Sequence, residues 1–238
     1  MGNFFHIILY KPLLNILILF YNTIAFKDLG VSIIFLTVFI RIILYPFFQK
    51  SVRNQTILQR IQPKIKQIQE EHKKDKEKQA KALLLLYKEH KVNPFSGFLF
   101  LLIQLPILII LYQLFLKGLN VASFGDLYSF VARPNSFQTN FLGLLNLQNR
   151  SILLVVLAAI AQFFQGKLAL PKIDKSKSPS SAEQISRQII YIAPLMTVFV
   201  FFNFPAAVSL YWLTSSVFSI GQQVIINKQI NGEFGNNN

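Results

Sequence analysis

Apolar residues fall along this chain in long blocks, without the two-residue alternation of half-buried strands. Five blocks approach the ~20 mostly apolar residues that a helix needs to cross a bilayer: 29–49, 95–117, 150–170, 187–204 and 206–226. Backbone groups in hydrocarbon must bond within their own segment, and barrel-like alternation is missing, so each block predicts a helix. The sequence FPAA around Pro205 separates the last two blocks and predicts a tight turn between hairpin helices. Residues 1–28 hold a shorter apolar run, interrupted by Lys11, Pro12 and Asn15. This segment reads as an amphipathic helix lying in the membrane interface, with a sixth span or a removable signal peptide as the alternatives.

Residues 50–94 follow another rule. Ile57, Ile61, Ile65 and Ile68 recur at helical spacing, as do Ala80, Leu83, Leu84 and Tyr87. Each set makes one narrow apolar stripe on a charged helix. The spacing predicts two helices folded back at HKKDK, with Pro63 bending or restarting the first. Narrow stripes bury little, so a mobile hairpin is expected. Residues 118–149 and 171–186 are left as loops, and 227–238 as a short tail.

Composition adds a second signature. The chain has 238 residues, 53% of them hydrophobic, and 24 Lys+Arg against 10 Asp+Glu. Basic residues mark the cytoplasmic side of a membrane protein. Apart from Arg41, only Lys11, Lys27, Lys117, Arg133 and Arg150 fall on one side of the five predicted spans. All the other basic residues fall on the opposite side, mostly in 50–94. The N-terminus is thus expected outside, the C-terminus in the cytoplasm, and 50–94 is a cytoplasmic basic hairpin. Arg53, Arg60, Lys64, Lys66, Lys73, Lys74, Lys76 and Lys78 are its candidate docking residues, for anionic lipid or a ribonucleoprotein. A merely solvated hairpin is the plainer reading. No RNA-binding motif accompanies the charge.

Arg41 is the exception to the charge pattern. It stands in LTVFIRIILYPFF, roughly 18 Å from one end of the first predicted span and 12 Å from the other. A central arginine costs about 2.5–3.5 kcal/mol and needs an anion or water to offset it. The other four spans contain no Asp or Glu. They offer Gln104, Gln162, Gln165, Asn203, Ser209, Thr214, Ser215, Ser216, Gln222 and Gln223, which hydrogen-bond but do not neutralise. A wet, positive cavity follows, with bonds from Arg41 to backbone carbonyls as the structural alternative. The amides and hydroxyls also read as helix-to-helix glue, and Trp212 as an interfacial anchor.

Taken together, YKPLLNILILFYN, the span around Arg41, KVNPFSG, LLIQLPI, FLGLLNL and FFNFPAAVSLYWLTSSVFSIGQQ resemble the YidC/Oxa/Alb membrane protein insertases in their order and spacing. The resemblance covers almost the whole chain. It implies an all-α integral membrane protein of the bacterial plasma membrane. Five transmembrane helices would surround a hydrophilic groove, with an N-terminal interfacial helix and a cytoplasmic helical hairpin. Arg41 matches the groove arginine, and Gln104, Gln162, Trp212 and Ser216 fall where groove residues are expected. The implied substrates are nascent membrane proteins. The ribosome, the signal recognition particle receptor and the Sec translocon are possible further partners, with anionic lipids around them. The tail QINGEFGNNN is short and not basic, which shifts any ribosome docking to the hairpin and inner loops.

Rival classes leave less trace. Ion-coupled transport calls for intramembrane carboxylates or broken half-helices. A lipid scramblase would share the wet groove. HExxH, GxSxG, paired intramembrane aspartates and cysteine are all missing, so an enzyme is not expected. Nor is a cofactor, a metal or a small-molecule substrate.

Overall fold

The computed structural model describes residues 3–116, 125–134, 138–170 and 181–235. The predicted loop 171–186 thus lies largely outside the described residues, as does part of 118–149. The described chain is mostly helical. A short α1 (Asn3–Phe5) and a π-helical turn (His6–Tyr10) lead into α2 (Lys11–Thr23). Then come α3 (Leu29–Ile43), α4 (Tyr45–Arg60), α5 (Gln62–Glu71), α6 (Lys76–Glu89) and α7 (Ser96–Leu116). A two-stranded hairpin, β1 (Asn140–Phe141) and β2 (Leu145–Asn146), precedes α8 (Ile152–Ala169), α9 (Ser181–Phe201) and α10 (Ala206–Gly235).

The main core lies between α2, α3, α7, α8 and α10. Leu14, Leu17 and Ile18 of α2 are fully buried against it, so this helix gives its apolar face to protein. Asn15, which breaks the apolar run in the sequence, is buried with its amide in use. Its Nδ2 donates to the carbonyls of Lys11 (2.7 Å) and Asp126 (3.0 Å), and its Oδ1 accepts from the Tyr128 N–H at 2.6 Å. One polar side chain therefore fastens the segment 126–128 to α2. The pair α8–α10 is the most extensive helix contact, and Ala158 and Ala159 allow the close approach.

One end of the bundle is capped by the β-hairpin. Asp28 caps α3 by accepting from the Val31 N–H at 2.9 Å, and its other oxygen accepts from the Leu142 N–H at 2.6 Å. Phe141 lies directly on Gly30, where an added Cβ would come within 2.1 Å of the ring. The N–H groups of Ala206 and Ala207, orphaned at the start of α10, donate to the carbonyls of Asn149 (2.8 Å) and Leu147 (3.0 Å).

At the other end three expectations change. The segment 29–49 is not one straight helix: α3 and α4 meet at a 72° bend at Leu44. Pro46 in the first turn of α4 cannot donate a backbone bond back to α3. The tail expected from residue 227 is instead a continuation of α10 to Gly235, and Ile226 and Ile230 are fully buried. They form a second core with Ile57, Ile61, Ile65, Leu86 and Val92, which seats the base of the α5–α6 hairpin. Leu84, expected on the buried stripe, is 58% exposed and Leu86 takes its place. Among the described residues only Ile152–Ala169 is by itself long and apolar enough to cross a bilayer; the bent pair α3–α4 qualifies jointly. Leu102–Phe115 and Ile190–Phe201 are shorter apolar stretches.

Candidate functional site: a cationic cavity between α3, α4, α7, α8, α9 and α10

Arg41 sits in the last turn of α3 and is buried, with 5% of its surface exposed. Its Nε donates to Ser215 Oγ at 2.8 Å, and its Nη2 donates to the same oxygen. The guanidinium carbon lies 4.5 Å from the centroid of the Phe48 ring. The bend at Leu44 makes this contact, because it turns the first turns of α4 back under α3. A hydroxyl and an aromatic face hold the cation without cancelling it. Among the described residues no carboxylate forms an ion pair with it.

A guanidinium has five N–H donors and Ser215 engages two of them. The same side chain lines a cavity of about 390 Å³. That volume has room for roughly a dozen waters at ~30 Å³ each. Gln104, Gln162, Trp212 and Ser216 line it as well, so the structure brings all five sequence-derived groove residues to one space. Gln104 Nε2 donates to Tyr211 Oη, while its Oε1 is buried and finds no partner among the described residues. Gln59 Oε1, also on a lining residue, is in the same position. Leaving such acceptors dry costs about 1–3 kcal/mol each, a cost that water in a cavity of this volume would remove.

Gln162 Oε1 accepts from Thr197 Oγ1 and from the Trp212 indole N–H, the latter at 3.4 Å. Trp212 also stands edge-on to Phe201 at 5.2 Å. Its indole N–H is thus directed at Gln162 on the cavity wall. Sequence reasoning missed Gln55 and Gln59, which lie in the charged block 50–94 and reach the cavity because α4 bends. It named Ser215 as a polar residue without singling it out as the partner of Arg41.

The hairpin candidates divide. Arg60 is not a free docking cation: its Nη2 donates to Asn231 Oδ1 of α10, and burial lowers its pKa below the usual guanidinium range. Arg53 is half-buried, as is Lys66. Lys64, Lys73, Lys74, Lys76 and Lys78 are exposed. At the tip Lys78 pairs with Asp75 at 3.3 Å, and Lys76 Nζ donates to Gln79 Oε1 at 3.3 Å. The described residues contain no cluster of three or more His, Asp or Glu that could hold a metal.

A buried, positively charged cavity between helices, with no metal-binding cluster among the described residues, belongs to a mostly helical membrane-protein fold. Comparison with known proteins then fixes the lineage. The family described as 60Kd inner membrane protein matches residues 19–233, and the chain belongs to it. It is accordingly a bacterial inner-membrane protein. It is 32% identical over 223 residues to the membrane protein insertase YidC of Pelobacter propionicus, covering 93% of this chain and 39% of that one. Identity to the YidC of Syntrophobacter fumaroxidans is 34% over 224 residues, covering 92% and 37%. For Francisella tularensis subsp. novicida it is 34% over 199 residues, covering 84% and 32%. The chain therefore spans under two-fifths of the length of these relatives. Among solved structures it matches an active YidC insertase crystal structure with the first transmembrane domain resolved. The TM-score is 0.59 and the identity 24%, over 92% of this chain and 46% of that one, a likeness of fold.

Proposed function

We propose that this protein is a membrane protein insertase. A nascent segment enters the cavity from the cytoplasm, and its polar or acidic residues meet Arg41 and water. The desolvation barrier falls, and the adjoining hydrophobic segment passes between helices into lipid. No covalent bond is made or broken. In this reading α3, α7, α8, α9 and α10 are the five spans, the β-hairpin end faces outward, and the α5–α6 hairpin lies in the cytoplasm. One observation carries the proposal: a buried arginine that no described carboxylate neutralises, beside amides with spare acceptors. The names of the relatives support it, as does the excess of basic residues on one side of the chain.

Residues Lys64, Lys73, Lys74, Lys76 and Lys78 form the docking face for the ribosome, the signal recognition particle receptor or anionic lipid. The test is insertion of defined substrates by the purified chain in liposomes. Arg41→Ala should slow substrates with acidic outer segments by roughly ten-fold or more, since a charge-assisted hydrogen bond contributes about 1.5–3 kcal/mol. Substrates with neutral outer segments should change little. Unchanged insertion of every substrate would remove the groove charge from the mechanism. Ion flux or lipid scrambling by the same vesicles, without insertion, would favour the rival classes.

A further inference from the structure

A second cavity, of about 1100 Å³, opens where α4, the end of α6 and the start of α7 meet. It lies on the other side of α4 from the groove and shares no lining residue with it. Its volume is at or above the ~300–1,000 Å³ typical of small-ligand sites. Two kinds of surface face it. Phe47, Phe95 and Leu102 form an apolar wall and are 58%, 73% and 52% exposed. Lys50, Lys88 and Lys91 line the same space and are exposed. None of the three forms an ion pair with a described residue. Ser96, 5% exposed, also lines it, and its Oγ has no hydrogen-bond partner among the described residues.

Lys91 is the telling residue. The helix α6 ends in two reverse bonds, from the Lys91 N–H to the Lys88 carbonyl (3.1 Å) and from the Val92 N–H to the Tyr87 carbonyl (3.0 Å). That closing turn places its penultimate residue in the left-handed region, where glycine or asparagine is the usual occupant. Here a lysine stands there with φ of 52°. Of the four non-glycine residues with positive φ among the described residues, Phe26, Lys27, Lys91 and Leu142, Lys91 is the one that lines this cavity.

We propose that this cavity seats one anionic glycerophospholipid of the inner leaflet. Its phosphate lies among Lys50, Lys88 and Lys91 with Ser96 Oγ as a further donor, and its acyl chains run along Phe47, Phe95 and Leu102. Charge complementarity selects the headgroup, and the exposed apolar wall selects a lipid over a soluble anion. The bound lipid fastens the base of the hairpin beside the groove.

The test uses the full chain in nanodiscs of mixed phosphatidylglycerol and phosphatidylcholine, with retained lipid counted by native mass spectrometry. Lys91→Asn suits the backbone, so the melting temperature should hold or rise. Phosphatidylglycerol retention should nevertheless weaken about five-fold, the effect of one basic residue at an anionic surface. Lys50→Gln with Lys88→Gln should weaken it further. Removing an equal exposed charge away from both the cavity and the docking face (Lys27→Gln, Lys81→Gln and Lys228→Gln) should leave it unchanged. Equal retention by Lys91→Asn and the parent chain overturns the proposal. So does equal retention of phosphatidylcholine, equal loss from that control variant, or displacement of the lipid by glycerol phosphate alone.

Discussion

The two ends of the helix bundle are packed by opposite rules, although the same helices run through both. At the end capped by the β-hairpin, α3 buries Leu29, Ile33 and Leu36, and α10 buries Ala206, Ala207, Val208 and Leu210. Toward the hairpin end the same two helices bury Arg41 and then Ser215, Ser216, Ser219, Gln222 and Gln223, before α10 turns apolar again at Ile226 and Ile230. Tyr211 marks the boundary, fully packed yet accepting a bond from Gln104. Low exposure thus means two different things within one fold. At the capped end it reports dry apolar packing, which stabilises. Beside Arg41 it reports enclosure around a polar cavity, where the buried amide oxygens of Gln59 and Gln104 find no partner among the described residues.

The contrast is sharpest where one methylene-rich side chain is removed. Leu17→Ala, at a fully buried position, should destabilise by about 2–5 kcal/mol, seen as a clear drop in melting temperature in detergent. Ser216→Ala, beside the polar cavity, should cost well under that on the same assay. Equal losses would mean that the cavity is packed as tightly as the core. Next in size, Gly30→Ala should cost about 1–3 kcal/mol by overpacking against Phe141. The double variant with Phe141→Ala should recover part of that loss, and a cycle showing no coupling would place the clash elsewhere.

Arg41→Met separates stability from function. Replacing a buried charge by an apolar side chain of similar length is often neutral or stabilising. The melting temperature should therefore hold or rise by a few degrees while insertion of acidic substrates falls. A large drop in stability instead would make Arg41 a structural residue. The smallest effect lies at the hairpin tip. The backbone N–H of Lys78, helped by its side chain, lowers the pKa of the exposed Asp75 below the usual carboxylate range. A lowered pKa means stability that is present above the ordinary carboxylate value and is lost as pH falls through the folded one. Amide exchange at residues 76–79 should thus rise only in acid, and Asp75→Asn should remove that pH dependence.

How much of this could be read from the sequence follows from how local each signal is. Arg41 is conspicuous because a charge in an apolar block has no local explanation. Helices are legible wherever the apolar runs are long. Ser215 and Ser216 are not separable in the same way. Neighbours on a helix point about 100° apart, and which one meets Arg41 depends on the rotation of α10 against α3. Gln55 and Gln59 carry no local mark at all, since their sequence neighbours belong to a charged hairpin. Only the 72° bend at Leu44 brings them under the cavity.

The sequence by itself determined the helical class and the presence of an arginine inside an apolar block, because hydropathy, charge and backbone satisfaction in lipid act over a single segment. Tertiary structure alone decided which hydroxyl holds that arginine, which face of α4 lines the groove, and that residues 227–235 continue α10 toward the hairpin base. Those outcomes rest on helix rotation and on a bend between two elements, and both are fixed by packing across the bundle, not by any one stretch of chain.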